Sequence, residues 1–190
     1  KPSDIAGGWS KPLGSDPSDY GAWYTLALAV GAGWLAKLLI IDAVPAAFEL
    51  RSTVRIDPET NTALEGWYRS GPMLCTQCEA RGFSRITYAL DRPDVLSRYR
   101  VHLEADARQY PVLLANGNLD DSGDSEDGKH WARWVDPHPK PAYLFAMVAG
   151  DLAKVADTYR AADGREIALE FYVDHGNEDR VDHAMASLKD

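Results

Sequence analysis

A short stretch near the middle of the chain, residues 75–83, concentrates side chains that could do chemistry. It contains two thiols, Cys75 and Cys78, the amide of Gln77, the carboxylate of Glu79 and a glycine. A buried strand would be continuously apolar or would alternate apolar with polar residues, and this stretch does neither. Its composition is typical of a surface loop that presents polar groups to a ligand. We therefore predict a loop here, between two strands, as the candidate site.

The two cysteines admit three interpretations. A single C-x-x-C pair cannot supply the four ligands of a tetrahedral structural zinc site, and two cysteines are too few for a disulfide framework. A redox-active pair usually stands where a strand leads into a helix, and the sequence predicts no such junction here. We favour reduced loop thiols without an assigned role, with a redox pair and a zinc site as the alternatives.

The composition limits the classes of partner. The chain has 190 residues, 45% of them apolar, which is enough for the core of one domain, or of one domain and a fragment. Its formal charge of −9 argues against a nucleic-acid partner, because no basic face is available for phosphates. An excess of acidic residues is typical of the surface of a cytoplasmic protein. The more specific alternative is that these residues bind a cationic ligand. No signal-peptide pattern is present, so we predict a cytoplasmic location.

An apolar run at residues 22–36 raises the question of a membrane span. The run is shorter than the roughly 20 residues that a spanning helix needs, it contains two glycines near its end, and a lysine follows it. We predict a hairpin instead, with strands at residues 22–30 and 34–41 and a glycine turn between them. No membrane partner is expected.

The rest of the chain predicts a mainly β fold. Short segments with a period-two apolar pattern recur between turn signals, which is typical of a twisted antiparallel β-sandwich or saddle-like domain. Strands are predicted at residues 48–57, 62–68, 98–105, 112–115, 129–135, 143–149, 155–160 and 166–173. The acidic residues 120–128 are expected to form a solvated hairpin tip, the prolines at 137, 139 and 141 a stiff connector, and residues 91–97 a single helical turn.

A short helix is predicted at the end of the chain. Asn177 or Asp179 can cap it, and its apolar residues are three and four apart. These residues are Val181, Ala184, Met185 and Leu188. Because a helix of about three turns is marginal alone, we interpret it as the beginning of a following domain.

Residues 77–80, together with residues 91–94, resemble the bacterial form of the alanyl aminopeptidase (aminopeptidase N) family of zinc peptidases. The likeness extends from about residue 38 to residue 190. Further matching segments, in family order, are residues 61–66, 113–118, 140–146, 148–151 and 164–169. The resemblance implies three parts: a poorly matched lead-in and first strand at residues 1–37, an N-terminal β-domain at 38–176, and the start of a catalytic-domain helix at 177–190.

The resemblance also implies roles for two residues. Glu79 corresponds to the glutamate that helps bind the free α-amino group of the substrate, and Gln77 to the glutamine beside the first side-chain pocket. Since a peptide's α-ammonium is a cation, a fixed carboxylate can give it a charge-assisted hydrogen bond. A group that grips a free N-terminus also rejects internal peptide bonds. Arg81 departs from the family pattern, in which an acidic residue is frequent, and this departure bears on the charge around Glu79.

Catalytic residues are not expected in this chain. A zinc peptidase of this family needs H-E-x-x-H on a helix and a G-A-M-E-N strand, and neither motif occurs. The five histidines are scattered, and no two of them stand at i and i+4. The resemblance therefore predicts that zinc belongs to the full-length enzyme, that this chain alone is inactive, and that its partners are a peptide N-terminus and the catalytic domain of the same polypeptide.

A stand-alone β-sandwich binding module for protein or carbohydrate is the alternative function. The placement of the tryptophans distinguishes the two. A carbohydrate module would display Trp67, Trp131 or Trp134 as a flat platform facing solvent, whereas an aminopeptidase domain would bury most of them and expose an apolar docking face.

Overall fold

The computed structural model describes residues 25–28, 37–40 and 49–190. The strands, in chain order, are β1 (Thr25–Leu28), β2 (Lys37–Ile40), β3 (Gly66–Ser70), β4 (Met73–Gln77), β5 (Leu96–Asp106), β6 (Val112–Ala115), β7 (Asn118–Asp124), β8 (Lys129–Pro141), β9 (Met147–Gly150), β10 (Ala153–Arg160) and β11 (Glu166–Val173). Short 3-10 helices lie at Phe83–Arg85, Glu126–Gly128, Ala142–Leu144 and Glu178–Arg180, and α1 is Asp182–Ser187.

Two antiparallel sheets form the body of the described chain. One has the strand order β3-β4-β9-β6 and the other β5-β8-β7. The β1–β2 and β10–β11 pairs form separate antiparallel hairpins. The prediction of a mainly β, antiparallel domain with one short helix at its end is confirmed.

A common apolar core joins the two sheets. In β5 every second side chain is buried, as the alternation in residues 98–105 predicts. Leu103 of β5 is 1% exposed and Leu74 of β4 is 0% exposed, and both belong to one contiguous cluster of buried residues. Full burial of such a side chain contributes about 1.5–3 kcal/mol. Because strands of both sheets supply this cluster, the sheets form a sandwich.

Both predicted hairpins agree with the observed pairing. β10 and β11 pair along their full lengths on either side of the turn at residues 161–165. β1 and β2 pair within the predicted strands, while the turn between them lies outside the described residues. The apolar segment predicted at 143–149 is a central strand only from Met147, because residues 142–144 form a 3-10 turn.

Two strand predictions in the first third of the described chain are wrong or displaced. Residues 49–57 form no strand; they have no pairing partner in the described part of the chain, and most of their side chains are exposed. Phe48, where that prediction began, lies outside the described residues. The strand predicted at 62–68 begins later, at Gly66 of β3.

The acidic loop and the proline connector are also corrected. Residues 118–124 form β7, an edge strand whose side chains are almost all exposed, so that the tip is confined to residues 125–128. The prolines belong to β8, beyond Val135, where its pairing with β7 ends. Proline lacks the N–H donor of a strand ladder and is tolerated where one neighbour is missing. The apolar alternation that predicts strands is absent from both segments.

The C-terminal helix is present, but it is capped differently from the prediction. A 3-10 turn at Glu178–Arg180 precedes α1, and Val181 occupies the cap position without a side-chain hydrogen bond. Met185 is buried on the face that the spacing predicts. Lys189 forms an ion pair with Asp157 of β10, which ties the end of the chain to that hairpin.

A charged cluster fastens the turn before β3 to the rest of the domain. Arg69 pairs with Glu59 through two nitrogens, and its Nη2 donates to the hydroxyl of the buried Tyr110 at 2.9 Å. The hydrogen bond from Arg69 lowers the pKa of Glu59 below its ordinary value of 4.5. The native protein therefore holds the Glu59 proton less tightly than the unfolded chain does.

Replacing Glu59 with glutamine is expected to lower the free energy of unfolding by about 1 kcal/mol near pH 7, because the pair is partly solvated. An acid with a lowered folded pKa stabilises the protein above its unfolded pKa, and this contribution disappears as the pH falls through the folded value. The thermal midpoints of the wild type and Glu59→Gln should therefore converge below about pH 4. A constant difference from pH 7 to pH 3 would contradict this account.

Candidate functional site

The candidate site is the turn that follows β4. Gln77 ends the strand, residues 78–82 form the turn, and the N–H of Gly82 donates to the carbonyl oxygen of Cys78 at 2.8 Å. The 3-10 helix Phe83–Arg85 follows at once. The polar stretch is thus a shorter loop than predicted, because its first three residues belong to β4.

The structure brings the two predicted site residues together in this turn. Both Gln77 and Glu79 are exposed, and Nε2 of Gln77 donates to the backbone oxygen of Glu79 at 3.3 Å. Cys78, between them, points inward and is 3% exposed. The Glu79–Ala80 peptide bond is cis. An exposed carboxylate and an exposed amide therefore lie side by side on this turn, while Cys78 between them is buried.

The carboxylate of Glu79 differs from the other acidic side chains around it. Within the described ranges, Glu79 has no hydrogen-bond or ion-pair partner for its carboxylate. Between residues 57 and 94 the others are engaged: Asp57 with the N–H of Glu59, Glu59 with Arg69, Glu65 with Arg85, Asp91 with the N–H of Ser84, and Asp94 with Arg92. An unpaired carboxylate at a fixed position can accept a charge-assisted hydrogen bond from a cation.

Apolar packing holds the base of the turn. The ring of Phe83 meets the rings of Phe145, at 5.0 Å between centroids, and of Tyr99, at 6.0 Å, both in edge-on geometry. Such pairs contribute about 0.5–1.5 kcal/mol beyond the burial of area. Gly66 opposes Gln77 in the β3–β4 ladder with a φ of 76°, and a Cβ there would lie 2.9 Å from the Cβ of Arg85. The turn is therefore packed against β3.

The two cysteines have the properties of packing residues. Both are free, Cys75 half-buried in β4 and Cys78 buried. Burial, and after it the negative charge of Asp91, raises the pKa of the Cys78 thiol to about 12. A redox-active thiol needs a lowered pKa. The environment of Cys78 therefore argues against the redox-pair interpretation.

Cys78 is expected to resist iodoacetamide at pH 8 in the folded protein. The thiolate is the reacting species, and a pKa of about 12 leaves about one thiol in ten thousand ionised at that pH. Mass spectrometry of peptides containing Cys75 and Cys78 measures each site, and denatured protein, in which both should react, is the control. Rapid labelling of Cys78 in the folded protein would restore the redox interpretation.

The segment after the site, residues 91–94, holds the turn in a way that the sequence did not reveal. Oδ2 of Asp91 accepts a hydrogen bond from the backbone N–H of Ser84 at 2.9 Å. Arg92 pairs with Asp94, and both side chains are 61% exposed, so this ion pair lies on the surface and does not hold the loop. The predicted helical turn is a reverse turn closed by the N–H of Val95 and the oxygen of Arg92, and β5 follows it. The preference of aspartate for capping free N–H groups was the available signal.

Trp67, Trp131 and Trp134, the tryptophans in the described part of the chain, form no solvent-facing platform. Trp67 is 4% exposed, and Nε1 of Trp134 donates to the backbone oxygen of Leu113 at 3.1 Å. The half-buried ring of Trp131 stacks on His102, with 5.2 Å between centroids, and the guanidinium of Arg133 lies over the same ring. This arrangement favours the peptidase-domain interpretation over the carbohydrate module.

The described residues contain no metal-binding cluster and no membrane-spanning helix. In that part of the chain no three histidine, cysteine, aspartate or glutamate side chains come together in a way that could hold a metal ion, so the residues present do not fit a catalytic zinc. No helix of the described ranges is long and apolar enough to cross a bilayer. We assign no metal-dependent step to this chain.

Comparison with known proteins connects this fold to one family. The model of the Peptidase M1 N-terminal domain matches residues 45–144. Aminopeptidase N of Escherichia coli (strain K12) is 56% identical over 151 residues, which are 80% of this chain and 17% of that protein. The chain therefore spans about a sixth of the length of this curated relative.

Solved structures give the same result. The aminopeptidase A of Legionella pneumophila, in a complex with aspartic acid, matches 68% of this chain and 15% of its own at 40% identity, with a TM-score of 0.66. An M1 zinc metallopeptidase from Deinococcus radiodurans, an E323A mutant bound to a Tyr-Ser-Ala substrate, shares the fold at 16% identity, with a TM-score of 0.53 over 63% of this chain and 28% of its own. With its β-sandwich and the family match over residues 45–144, the chain belongs to the Peptidase M1 N-terminal domain family.

Proposed function

We propose that this chain is the N-terminal domain of a zinc-dependent alanyl aminopeptidase, in which it recognises the free α-amino group of a peptide substrate and caps the active site. The observation that carries the proposal is the unpaired carboxylate of Glu79 on an exposed turn, beside the amide of Gln77. The names of the family's relatives, aminopeptidase N and aminopeptidase A, supply the reaction class.

The physical basis for amine recognition is one uncompensated charge on a turn whose backbone is packed in place. The α-ammonium of a peptide carries three N–H donors and a positive charge, and a carboxylate accepts such donors in bonds roughly twice as strong as those between neutral groups. Because the turn is already packed, little conformational entropy is lost when the ammonium binds. An acylated N-terminus and an internal peptide bond both lack the ammonium charge, so neither would bind at this carboxylate. The enzyme would therefore cleave only at a free N-terminus, which is exopeptidase action.

Gln77 has a complementary role in the proposal. Its side chain lies beside Glu79 and already donates to the turn, so that the amide is held in place. We assign it to the border of the pocket for the substrate's first side chain. The amide oxygen can accept from the substrate, whereas the Nε2 donor stabilises the turn.

Zinc belongs to the remainder of the full-length protein in this proposal. When bound there, zinc would polarise the scissile carbonyl and activate the attacking water. The described residues of this chain orient the substrate's amino end and exclude the solvent around it. Alone, the chain is therefore predicted to be inactive.

The β10–β11 hairpin is the part that we assign to contact with the catalytic domain. One of its faces carries apolar residues of both strands, among them Val155, Leu169 and Phe171, each only half-buried, and Ile167 is 37% exposed. The opposite face carries pairs such as Lys154 with Glu170. An amphipathic hairpin of this kind is stabilised by covering its apolar face.

The cytoplasmic location stays a prediction.

The proposal is tested by assaying the full-length protein with alanyl p-nitroanilide and with its N-acetyl derivative. We expect hydrolysis of the free-amine substrate only, loss of activity after treatment with a zinc chelator, and recovery on adding zinc. The isolated chain is assayed in parallel and should show no hydrolysis. Equal hydrolysis of the acetylated substrate, or zinc-dependent turnover by the isolated chain, would overturn the proposal.

A further inference from the structure

We infer that Asp91 is a positioning residue for the amine-recognition turn, and that it acts through Ser84 to hold the carboxylate of Glu79 in place. The inference rests on the proposed function and adds a residue about which that function says nothing.

The first link is the hydrogen bond from the backbone N–H of Ser84 to Oδ2 of Asp91, 2.9 Å long. Ser84 lies in the first turn of the 3-10 helix Phe83–Arg85, where N–H groups have no partner within the helix. Gly82 occupies the N-cap position of this helix and gives it no side-chain hydrogen bond. Asp91 therefore satisfies a donor that the fold leaves open, and it joins the helix to the segment that leads into β5.

The second link runs from Ser84 back into the turn. The hydroxyl of Ser84 donates to the backbone oxygen of Arg81 at 2.9 Å, and the N–H of Gly82 donates to the oxygen of Cys78 at 2.8 Å. These two bonds fix the backbone on either side of Ala80. Only one residue separates Glu79 from Arg81, so a shift of Ser84 moves the carboxylate of Glu79.

The surroundings of Asp91 also favour a fixed carboxylate. Burial, and after it the charge of Asp91, raises the pKa of Cys78 and of Tyr99 to about 12 each. The negative charge of Asp91 thus lies near Cys78, which is buried beneath the turn, and near Tyr99 in β5. Phe83 packs on Tyr99 from the same helix. The helix is therefore held by ring contacts of Phe83, by the ion pair of Arg85 with Glu65, and by the hydrogen bond from Ser84 to Asp91. Of these contacts, the one at Ser84 depends on Asp91.

The test uses the full-length enzyme and an unblocked alanyl substrate, with kcat and KM measured separately for Asp91→Ala, Asp91→Asn and Ser84→Ala. Misplacing a positioned group by about 1 Å can cost up to about 100-fold in rate or binding. For Asp91→Ala we expect KM to rise about tenfold while kcat changes less than about threefold. Asparagine keeps an oxygen that can accept from Ser84, so Asp91→Asn should restore most of the wild-type KM.

Asp94→Ala is the matched control, because Asp94 lies three residues away and pairs with Arg92 on the surface. It should leave both constants unchanged. Misfolded molecules would lower the apparent kcat without changing KM, so the rise in KM separates positioning from stability. If Asp91→Ala does not fold, Ser84→Ala decides, with an expected rise in KM of about threefold.

Glu79→Ala, measured in the same assay, separates this inference from the proposed function. The double variant Glu79→Ala/Asp91→Ala should have the KM of Glu79→Ala, since residues that act through one contact are not additive. If Glu79→Ala raises KM and neither Asp91→Ala nor Ser84→Ala does, the positioning role is overturned and the proposed function stands. If Glu79→Ala itself leaves KM unchanged, both are overturned.

Discussion

Replacing Glu79 with alanine in the full-length enzyme is expected to lower kcat/KM for unblocked alanyl substrates by about 100-fold or more. The carboxylate is exposed and unpaired in the described part of the chain, so nothing else on this turn can take its place. Once the substrate covers the turn, the carboxylate and the ammonium form a desolvated charge pair, and removing one partner of such a pair costs about 2–5 kcal/mol. We expect most of the loss in KM, because the group binds the part of the substrate that does not react.

Glu79→Gln separates charge from hydrogen bonding. Glutamine keeps an acceptor oxygen of similar reach, so it should recover part of the KM but not all of it. Glu126→Ala, on the exposed turn between β7 and β8, is the matched control and should have wild-type kinetics. A wild-type KM for Glu79→Ala would remove the assignment of the amine site to this turn.

Replacing Gly82 with alanine is expected to destabilise the protein by about 3 kcal/mol or more and to abolish amine recognition. A Cβ at this position would lie 2.1 Å from the backbone oxygen of Gln77 and 2.8 Å from the Cα of Cys78. Both contacts are with backbone, which cannot rotate away as a side chain can. The turn would have to open, and Glu79 would move with it.

Gly71→Ala is the matched control for this variant. Gly71 has a φ of 56° and open space around its Cα, so its replacement tests backbone strain without a clash. It should cost about 1–2 kcal/mol and leave KM unchanged. Thermal denaturation gives the stability of both variants, and the alanyl assay gives KM. A wild-type melting temperature for Gly82→Ala would contradict the packing of the turn.

The elements that could be predicted from the sequence are those with a repeated local signal. β5 buries every second residue, and the β10–β11 hairpin has two alternating strands around a glycine-containing turn. β7 lies at a sheet edge with almost all of its side chains exposed, so its acidic residues carry no period that marks a strand. Residues 49–57 show the reverse: they carry the period but have no strand beside them in the described chain.

The position of the candidate site could be predicted from the sequence, but the contacts that hold its turn in place could not. The mixture of amide, carboxylate, thiols and glycine predicts a loop at residues 75–83. The observed turn lies within that stretch and is four residues shorter, because β4 ends at Gln77 and a 3-10 helix begins at Phe83. The roles of Glu79 and Gln77 came from the family resemblance and not from composition. The role of Asp91 was not predicted, because its side chain accepts a hydrogen bond from the backbone of Ser84, seven residues earlier in the chain. A contact of this kind produces no repeating pattern in the sequence.

The most direct test of amine recognition compares two competitive inhibitors that differ in one group. L-Alaninamide carries the α-ammonium, and L-lactamide has a hydroxyl in its place. The wild-type full-length enzyme should bind the first more tightly by about 10- to 100-fold, which is the range expected for a charge-assisted hydrogen bond of about 1.5–3 kcal/mol. In Glu79→Ala that ratio of inhibition constants should fall to near one. A ratio that Glu79→Ala leaves unchanged would contradict the claim that this turn recognises the substrate's amino group.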